Sequence, residues 1–209
     1  LLVGEWKIGR DEVIPIKPKE MKERINGFIH FILVLDDGKM VAFSDVRKFG
    51  KVVFGTLDEI ENLPELKKLG PDALKISLKD FSERVLKKKK TIYQTLLDQD
   101  VVAGIGNIYV SEILWRVKVH PLTPANKLNK DQLKELCKAT KQILSKAVKF
   151  RGTSVDDYRD ASGKRGGYAD HRLAYGREGE GCKRCEAKMK RAKKGGRSFH
   201  YCPDCQKLN

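Results

Sequence analysis

Short apolar runs separated by turn residues dominate the first quarter of the chain. The run "FIHFILVL", residues 28–35, is followed by the turn sequence "DDGK" and then by "MVAFSD", residues 40–45. This pattern predicts two antiparallel strands joined by a tight turn, and "KVVFGT", residues 51–56, predicts a third strand. Because three strands do not close a sandwich, we expect a partial antiparallel β-sandwich.

The chain opens inside another apolar run, "LLVGEWKIGR", and has no initiator methionine. An apolar run of this kind is typical of a strand that has been cut in its middle. We therefore expect the sequence to be an N-terminally truncated fragment whose sheet lacks upstream strands.

The apolar spacing changes to a helical period after residue 57. Residues 57–86 predict short helices and turns, while "TIYQTLLDQ" and "NIYVSEILWRV" predict two longer helices separated by the tight turn of "VVAGIGN". Apolar residues then recur at helical spacing between Asn129, placed to cap a helix, and Gly152, placed to end it. Strands followed by helices predict an α+β fold.

Four of the five cysteines form two Cys-x-x-Cys pairs near the C-terminus. Sixteen residues separate the pairs, and this spacing suits one tetrahedral zinc ion better than strained local disulfides. The predicted ligands are Cys182, Cys185, Cys202 and Cys205. Gly195 and Gly196 predict a hairpin between the pairs, and hence a zinc ribbon with a basic tip. The alternative is a solvated ribbon that only holds a small domain together, because such modules fold with their metal.

The charge of the chain favours a polyanionic partner. Of 209 residues, 43 are Lys or Arg and 28 are Asp or Glu, giving a formal net charge of +15. Nucleic acid is the default candidate for such a balance.

No apolar run reaches the roughly 18 residues that cross a bilayer, and no signal peptide is visible, so we expect a cytoplasmic protein. The fifth cysteine, Cys137, lies on a helical apolar stripe and is expected to be a core residue.

The turn "AGIGN" is the candidate phosphate site. Gly104 and Gly106 allow a tight turn, and Asn107 follows at the predicted start of a helix, where backbone N–H groups and the helix dipole attract anions. The alternative is a simple interhelical turn, and the lysine run at residues 87–90 is equally typical of a solvated face.

Several motifs together resemble the formamidopyrimidine-DNA glycosylases, the bacterial repair family that includes endonuclease VIII. They occur in the order "SDVRKFG", "LLDQDVVAGIGNIYVSEIL", "HP", "RGTSVDDY", "AYGREGEGCKRC" and "GRSFHYCPDCQ". The resemblance implies a remnant of a catalytic β-sandwich domain at 1–58. It further implies a helix-two-turn-helix domain with a lesion-capping loop at 59–177 and a zinc finger at 178–209.

The resemblance also implies roles for individual residues. Asn107, in the turn with Gly104 and Gly106, would contact the DNA backbone. Arg197 at the tip of the zinc ribbon would bind a phosphate beside the lesion through its planar donor fork.

Further implied roles concern the flipped nucleotide. Arg47 would hydrogen-bond the orphaned partner base and Phe49 would wedge the base stack. Residues 160–176 would form the loop that closes over the flipped base, with Tyr175 supporting it.

The sequence departs from the family in two respects. The family begins with Pro-Glu, and the proline amine attacks C1′ of the sugar; this start, a lysine of the first sheet and a wedge methionine would all precede Leu1. We therefore expect the chain to bind damaged or abasic duplex DNA as a monomer without cutting it. Tyr93 stands where relatives usually carry a lysine, which puts one phosphate contact in doubt.

The expected intact activity is that of a bifunctional glycosylase and abasic-site lyase acting on 8-oxoguanine or formamidopyrimidine. The competing interpretation is a non-catalytic zinc-ribbon protein that binds nucleic acid. A structural zinc module in a larger assembly would account for the cysteines but not for Asn107 together with Arg197.

Overall fold

The computed structural model of the chain contains two compact units. The structure describes residues 2–8, 13–17, 27–153 and 164–208, with the backbone alone for the first two ranges. The first compact unit comprises residues 1–54 and 149–170, and the second comprises residues 55–148 and 171–209. The expectation of a truncated strand at Leu1 and parts of the motif "RGTSVDDY" and of the predicted capping loop lie outside the described residues.

The first unit contains a four-stranded antiparallel sheet. Its strands are β1 (Leu2–Ile8), β2 (Val13–Lys17), β3 (Ile29–Val34) and β4 (Met40–Ser44), in the spatial order β2-β1-β4-β3. The predicted hairpin is therefore confirmed as β3 and β4, with Phe31 opposite Phe43. Strand β2 was not predicted from the sequence, because Pro15 interrupts its apolar run. In the structure β2 lies at the edge of the sheet, where proline is tolerated.

The prediction of a third strand at residues 51–56 is wrong. This segment pairs with no strand among the described residues, and Val52, Val53 and Phe54 are exposed. The reason lies in the pairing of β4, which bonds β1 along one edge and β3 along the other. The segment that follows β4 therefore cannot pair beside β4 itself, and it remains without strand structure.

The second unit is mainly helical, as the sequence predicts. Its helices are α1 (Leu57–Glu61), α2 (Pro64–Lys67), α3 (Leu78–Leu86), α4 (Ile92–Leu97), α5 (Asn107–Arg116) and α6 (Lys130–Lys149). Two 3-10 turns, Ala125–Lys127 and Tyr168–His171, complete the helical elements of the described residues. Among these elements, none is long and apolar enough to traverse a lipid bilayer.

Helix α6 confirms the cap and the core residue predicted for it. Asn129 Oδ1 accepts a hydrogen bond from the Gln132 backbone N–H at 2.9 Å, and Cys137 is buried on the apolar face. The helix ends at Lys149, three residues before Gly152, and both Arg151 and Gly152 have positive φ angles. A left-handed pair of residues cannot continue a right-handed helix, so the chain turns here.

Helix α5 is the central element of the second unit. Six consecutive residues from Val110 to Trp115 are buried, and α5 packs against α4 and against strand β6 (Arg197–Tyr201). Strand β6 pairs with β5 (Lys190–Lys194) across Gly195 and Gly196, whose φ angles of +59° and +75° favour glycine in a tight hairpin turn. The predicted hairpin between the cysteine pairs is therefore confirmed.

Candidate nucleic-acid interface and metal centre

The four cysteines of the ribbon converge on one point. All four Sγ atoms lie within 4.8 Å of one another, with Cys185 3.4 Å from both Cys202 and Cys205, and Cys182 4.0 Å from Cys205. A disulfide requires an S–S distance of about 2.05 Å. Thiolates bound to zinc at about 2.3 Å in a tetrahedron lie about 3.8 Å apart. The cluster fits one structural zinc ion, as the spacing predicts.

The electrostatics of the cluster also fit a divalent cation. Burial and the three neighbouring sulfurs raise the pKa of Cys205 to about 12. At Cys182, burial opposes ionisation, but hydrogen bonds from the backbone at Arg184 and from Trp115 lower the pKa to about 6. Thiolates crowded in this way repel one another, and a cation between them removes the repulsion.

Trp115 connects the cysteine cluster to α5. Its indole N–H donates to Cys182 Sγ at 3.4 Å. The guanidinium of Arg184 lies 3.8 Å from the Trp115 ring centroid and donates to the Trp115 carbonyl oxygen. A cysteine partner for Trp115 was not predicted from the sequence, because an indole on a buried helix face is usually only a core residue. The ribbon is thus bonded to the C-terminal turn of α5, at the opposite end from Asn107.

The turn before α5 is braced by Gln99. Gln99 Oε1 accepts the N–H of Gly104 at 2.9 Å, and its Nε2 donates to the carbonyl oxygen of Ile105 at 3.1 Å. Gly104 has a φ of +99°, which suits glycine, and Gly106 precedes the helix without a side-chain cap. Helix α5 therefore begins without a side-chain cap, and the start of such a helix, with its backbone N–H groups and helix dipole, can attract an anion.

Asn107 links this turn to the zinc hairpin. Its Nδ2 donates to the carbonyl oxygen of Ser198 at 3.1 Å, and its Oδ1 accepts from the Tyr93 hydroxyl at 2.6 Å. Ser198 follows the exposed Arg197 in β6. The structure therefore brings together the elements that carry Asn107 and Arg197, which are 90 positions apart in the sequence.

Glu112 holds the backbone of the segment that carries Tyr175. Its carboxylate, only 3% exposed, accepts the backbone N–H groups of Leu173, Ala174 and Tyr175 at 2.8, 2.9 and 2.8 Å. Burial raises the pKa of Glu112, and the three N–H donors oppose this shift. The Tyr175 ring in turn packs against His200 at 4.8 Å. Sequence reasoning missed Glu112, although an acidic residue inside the apolar "VSEILW" is a usable signal.

Arg47 and Phe49 lie in a loop of the first unit. The Asp45 carboxylate accepts the backbone N–H groups of Arg47 and Gly50 at 3.0 and 2.7 Å, and these bonds lower its pKa. The Arg47 guanidinium lies 5.0 Å from the centroid of the Phe49 ring, and Phe49 is 77% exposed. The loop therefore presents a cation and an aromatic ring to solvent side by side.

Two family profiles match the last two thirds of the chain. Residues 69–159 match the formamidopyrimidine-DNA glycosylase H2TH domain, and residues 179–208 match the zinc finger found in FPG and IleRS. The class is thus a helix-two-turn-helix protein with a C-terminal zinc finger.

Individual relatives define the family further. The chain is 42% identical over 179 residues to the formamidopyrimidine-DNA glycosylase of Herpetosiphon aurantiacus, covering 85% of this chain and 65% of the relative. It is 35% identical over 210 residues to that of Chloroflexus aurantiacus, covering 98% and 74%.

A solved structure gives the same result. The complex between the Lactococcus lactis Fpg and DNA containing an abasic site superposes with a TM-score of 0.79 at 37% identity, over 87% of this chain and 67% of the other. The chain belongs to the formamidopyrimidine-DNA glycosylase family, and it spans about two thirds of the length of these relatives.

Proposed function

We propose that this chain binds duplex DNA containing an oxidised or abasic lesion and supplies the DNA-holding part of a base-excision repair glycosylase. The observation that carries the proposal is the hydrogen bond from Asn107 to Ser198, which joins the uncapped start of α5 to the hairpin of Arg197. Two phosphate-binding features thereby share one surface.

The chemistry of this surface suits adjacent phosphates. Asn107 uses one hydrogen of its amide nitrogen on Ser198, so the second remains as a donor, next to the N–H groups of the first turn of α5. Arg197 is exposed and offers a planar fork that can bind a phosphate with two hydrogen bonds. The net charge of +15 adds long-range attraction to DNA.

In this proposal, Arg47, Phe49 and Tyr175 act on the flipped nucleotide and the space that it leaves. Arg47 and Phe49, which the Asp45 carboxylate holds in one exposed loop, would fill the space left by a flipped nucleotide. Tyr175, whose backbone is fixed by Glu112, would support the loop that covers the flipped base.

The proposed family activity is removal of oxidised purines, 8-oxoguanine or formamidopyrimidine, followed by strand cleavage at the resulting abasic site. The family resemblance assigns the attacking amine to an N-terminal proline, and we match no residue of this sequence to it. We therefore propose that a polypeptide made only of these 209 residues binds the lesion without cutting the strand.

The second candidate is a zinc-ribbon protein that binds nucleic acid without regard to damage. The basic strand β5, with four Lys or Arg among its five residues, favours it, because such a strand attracts any polyanion. The two functions differ in whether a lesion increases affinity.

A binding and cleavage experiment tests the proposal. We expect the 209-residue polypeptide to bind a duplex with a stable abasic-site analogue at least about tenfold more tightly than the same undamaged duplex at one fixed salt concentration. With a natural abasic site, borohydride should trap no covalent complex. Equal affinity for both duplexes would favour the second candidate, and efficient trapping would mean that another amine of this chain is the nucleophile.

A further inference from the structure

The hydroxyl of Tyr93 lies at the joint between the helical turn and the zinc hairpin. It is 2.6 Å from Asn107 Oδ1 and 3.3 Å from the carbonyl oxygen of Ser198, and its ring packs against Phe199 at a centroid distance of 4.9 Å. Tyr93 is nonetheless 0% exposed. A side chain without exposed surface cannot contact a phosphate, so any effect of Tyr93 on DNA must act through its neighbours.

The three polar groups fix the orientation of the Asn107 amide. The Ser198 carbonyl can only accept, so the Asn107 atom facing it is the amide nitrogen, and Oδ1 faces Tyr93. If the amide were flipped, two acceptors would face each other at Ser198, and the amide nitrogen would lie against the hydroxyl. The Ser198 carbonyl therefore selects the orientation in which one amide hydrogen remains for a ligand, and the Tyr93 hydroxyl stabilises that orientation by donating to Oδ1.

The ionisation state of Tyr93 suits a hydrogen-bond donor. Burial raises the pKa of its hydroxyl to about 12, although the nearby Arg197 guanidinium acts in the opposite direction. The hydroxyl therefore carries its proton at neutral pH and donates it to Asn107.

We propose that the Tyr93 hydroxyl is a positioning group for phosphate binding: it holds the Asn107 amide in its ligand-ready orientation and keeps the Arg197 hairpin against the start of α5. The proposal rests on the proposed function, because it needs Asn107 to contact DNA. In this arrangement a buried neutral hydroxyl raises affinity by pre-organising two phosphate donors, without adding a charge to the interface.

The test is a double-mutant cycle measured by binding to the abasic-analogue duplex. Tyr93→Phe removes one oxygen, and we expect affinity to fall about threefold to tenfold, the effect of losing one net hydrogen bond. Tyr201→Phe is the matched control, because it also removes a tyrosine hydroxyl, here from strand β6 of the hairpin, at a ring that packs on His120. It should change affinity by less than about twofold. Zinc content and the thermal midpoint are measured for both variants.

The cycle separates positioning from general destabilisation. In the Asn107→Ala background, Tyr93→Phe should cost at most about twofold, because the amide that it positions is gone and only its longer contact with the Ser198 carbonyl oxygen remains. An equal loss in both backgrounds, or wild-type affinity for Tyr93→Phe, overturns the inference while leaving the proposed function intact. A wild-type chain that shows no preference for the lesion duplex overturns both.

Discussion

At the scale of single residues, the molecule depends on buried polar groups that satisfy several backbone donors at once. Glu112 is the clearest case, because one carboxylate receives three consecutive N–H groups. Its Oε1 accepts from Ala174 and Tyr175, and its Oε2 accepts from Leu173. This arrangement needs two acceptor atoms, which only a carboxylate supplies.

Replacing Glu112 tests this account. Glu112→Gln keeps the size of the side chain but turns its NH₂ group towards at least one backbone donor. The buried donor left unsatisfied should lower the free energy of unfolding by about 1–3 kcal/mol, measured by urea denaturation. Glu135→Gln, at an exposed position of α6, is the matched control and should change the free energy of unfolding by less than about 0.5 kcal/mol. Equal stability of the two variants would contradict the bracing role of Glu112.

At the scale of elements, α5 connects the two functional features of the second unit. Its N-terminal residue, Asn107, bonds the tip region of the hairpin, and Trp115 near its C-terminus bonds a zinc ligand. The rigid helix therefore fixes the distance between the cysteine cluster and the proposed phosphate-binding turn. We expect a stable metal site to be a condition for the proposed DNA-binding surface.

The metal content and Trp115 provide the corresponding test. We expect one zinc ion per chain by metal analysis, and we expect Trp115→Phe to weaken zinc binding by about tenfold in competition with a chromophoric chelator, because the N–H donor to Cys182 is lost. Phe81→Leu, at a buried position of α3 in the same unit, is the control and should leave zinc affinity unchanged. Zinc-free protein with an intact β5–β6 hairpin would contradict the assignment.

The sequence predicted the local elements better than the contacts between them. Cysteine spacing, glycine turns and apolar periodicity led directly to the ribbon, to the turn before α5 and to α6, because these features are set by residues close in the chain. Residues 51–56 were assigned wrongly because a strand needs a partner strand, and a local apolar run does not specify one. The pairs Tyr93 with Asn107 and Glu112 with Leu173 join distant segments, and no local pattern specifies them.

At the scale of the whole molecule, the proposed function depends on combining a basic composition with a few directed contacts. A formal charge of +15 favours any polyanion, but charge alone does not distinguish one phosphate from the next. The proposed specificity comes from Arg197 and Asn107, which the zinc site, Tyr93 and α5 hold in place. The central claim is therefore that these two residues matter more than their neighbours of similar charge or size.

The most direct measurement compares three single variants on the abasic-analogue duplex at one fixed salt concentration. We expect Arg197→Ala to cost about 1.5–3 kcal/mol of binding free energy, Lys193→Ala to cost less than about 1 kcal/mol, and Asn107→Ala to weaken binding although it changes no charge. Arg197→Lys, which keeps the charge but loses the fork, should recover only part of the affinity. Equal losses for Arg197→Ala and Lys193→Ala, with Asn107→Ala unchanged from wild type, would contradict the account and leave a non-specific basic zinc module.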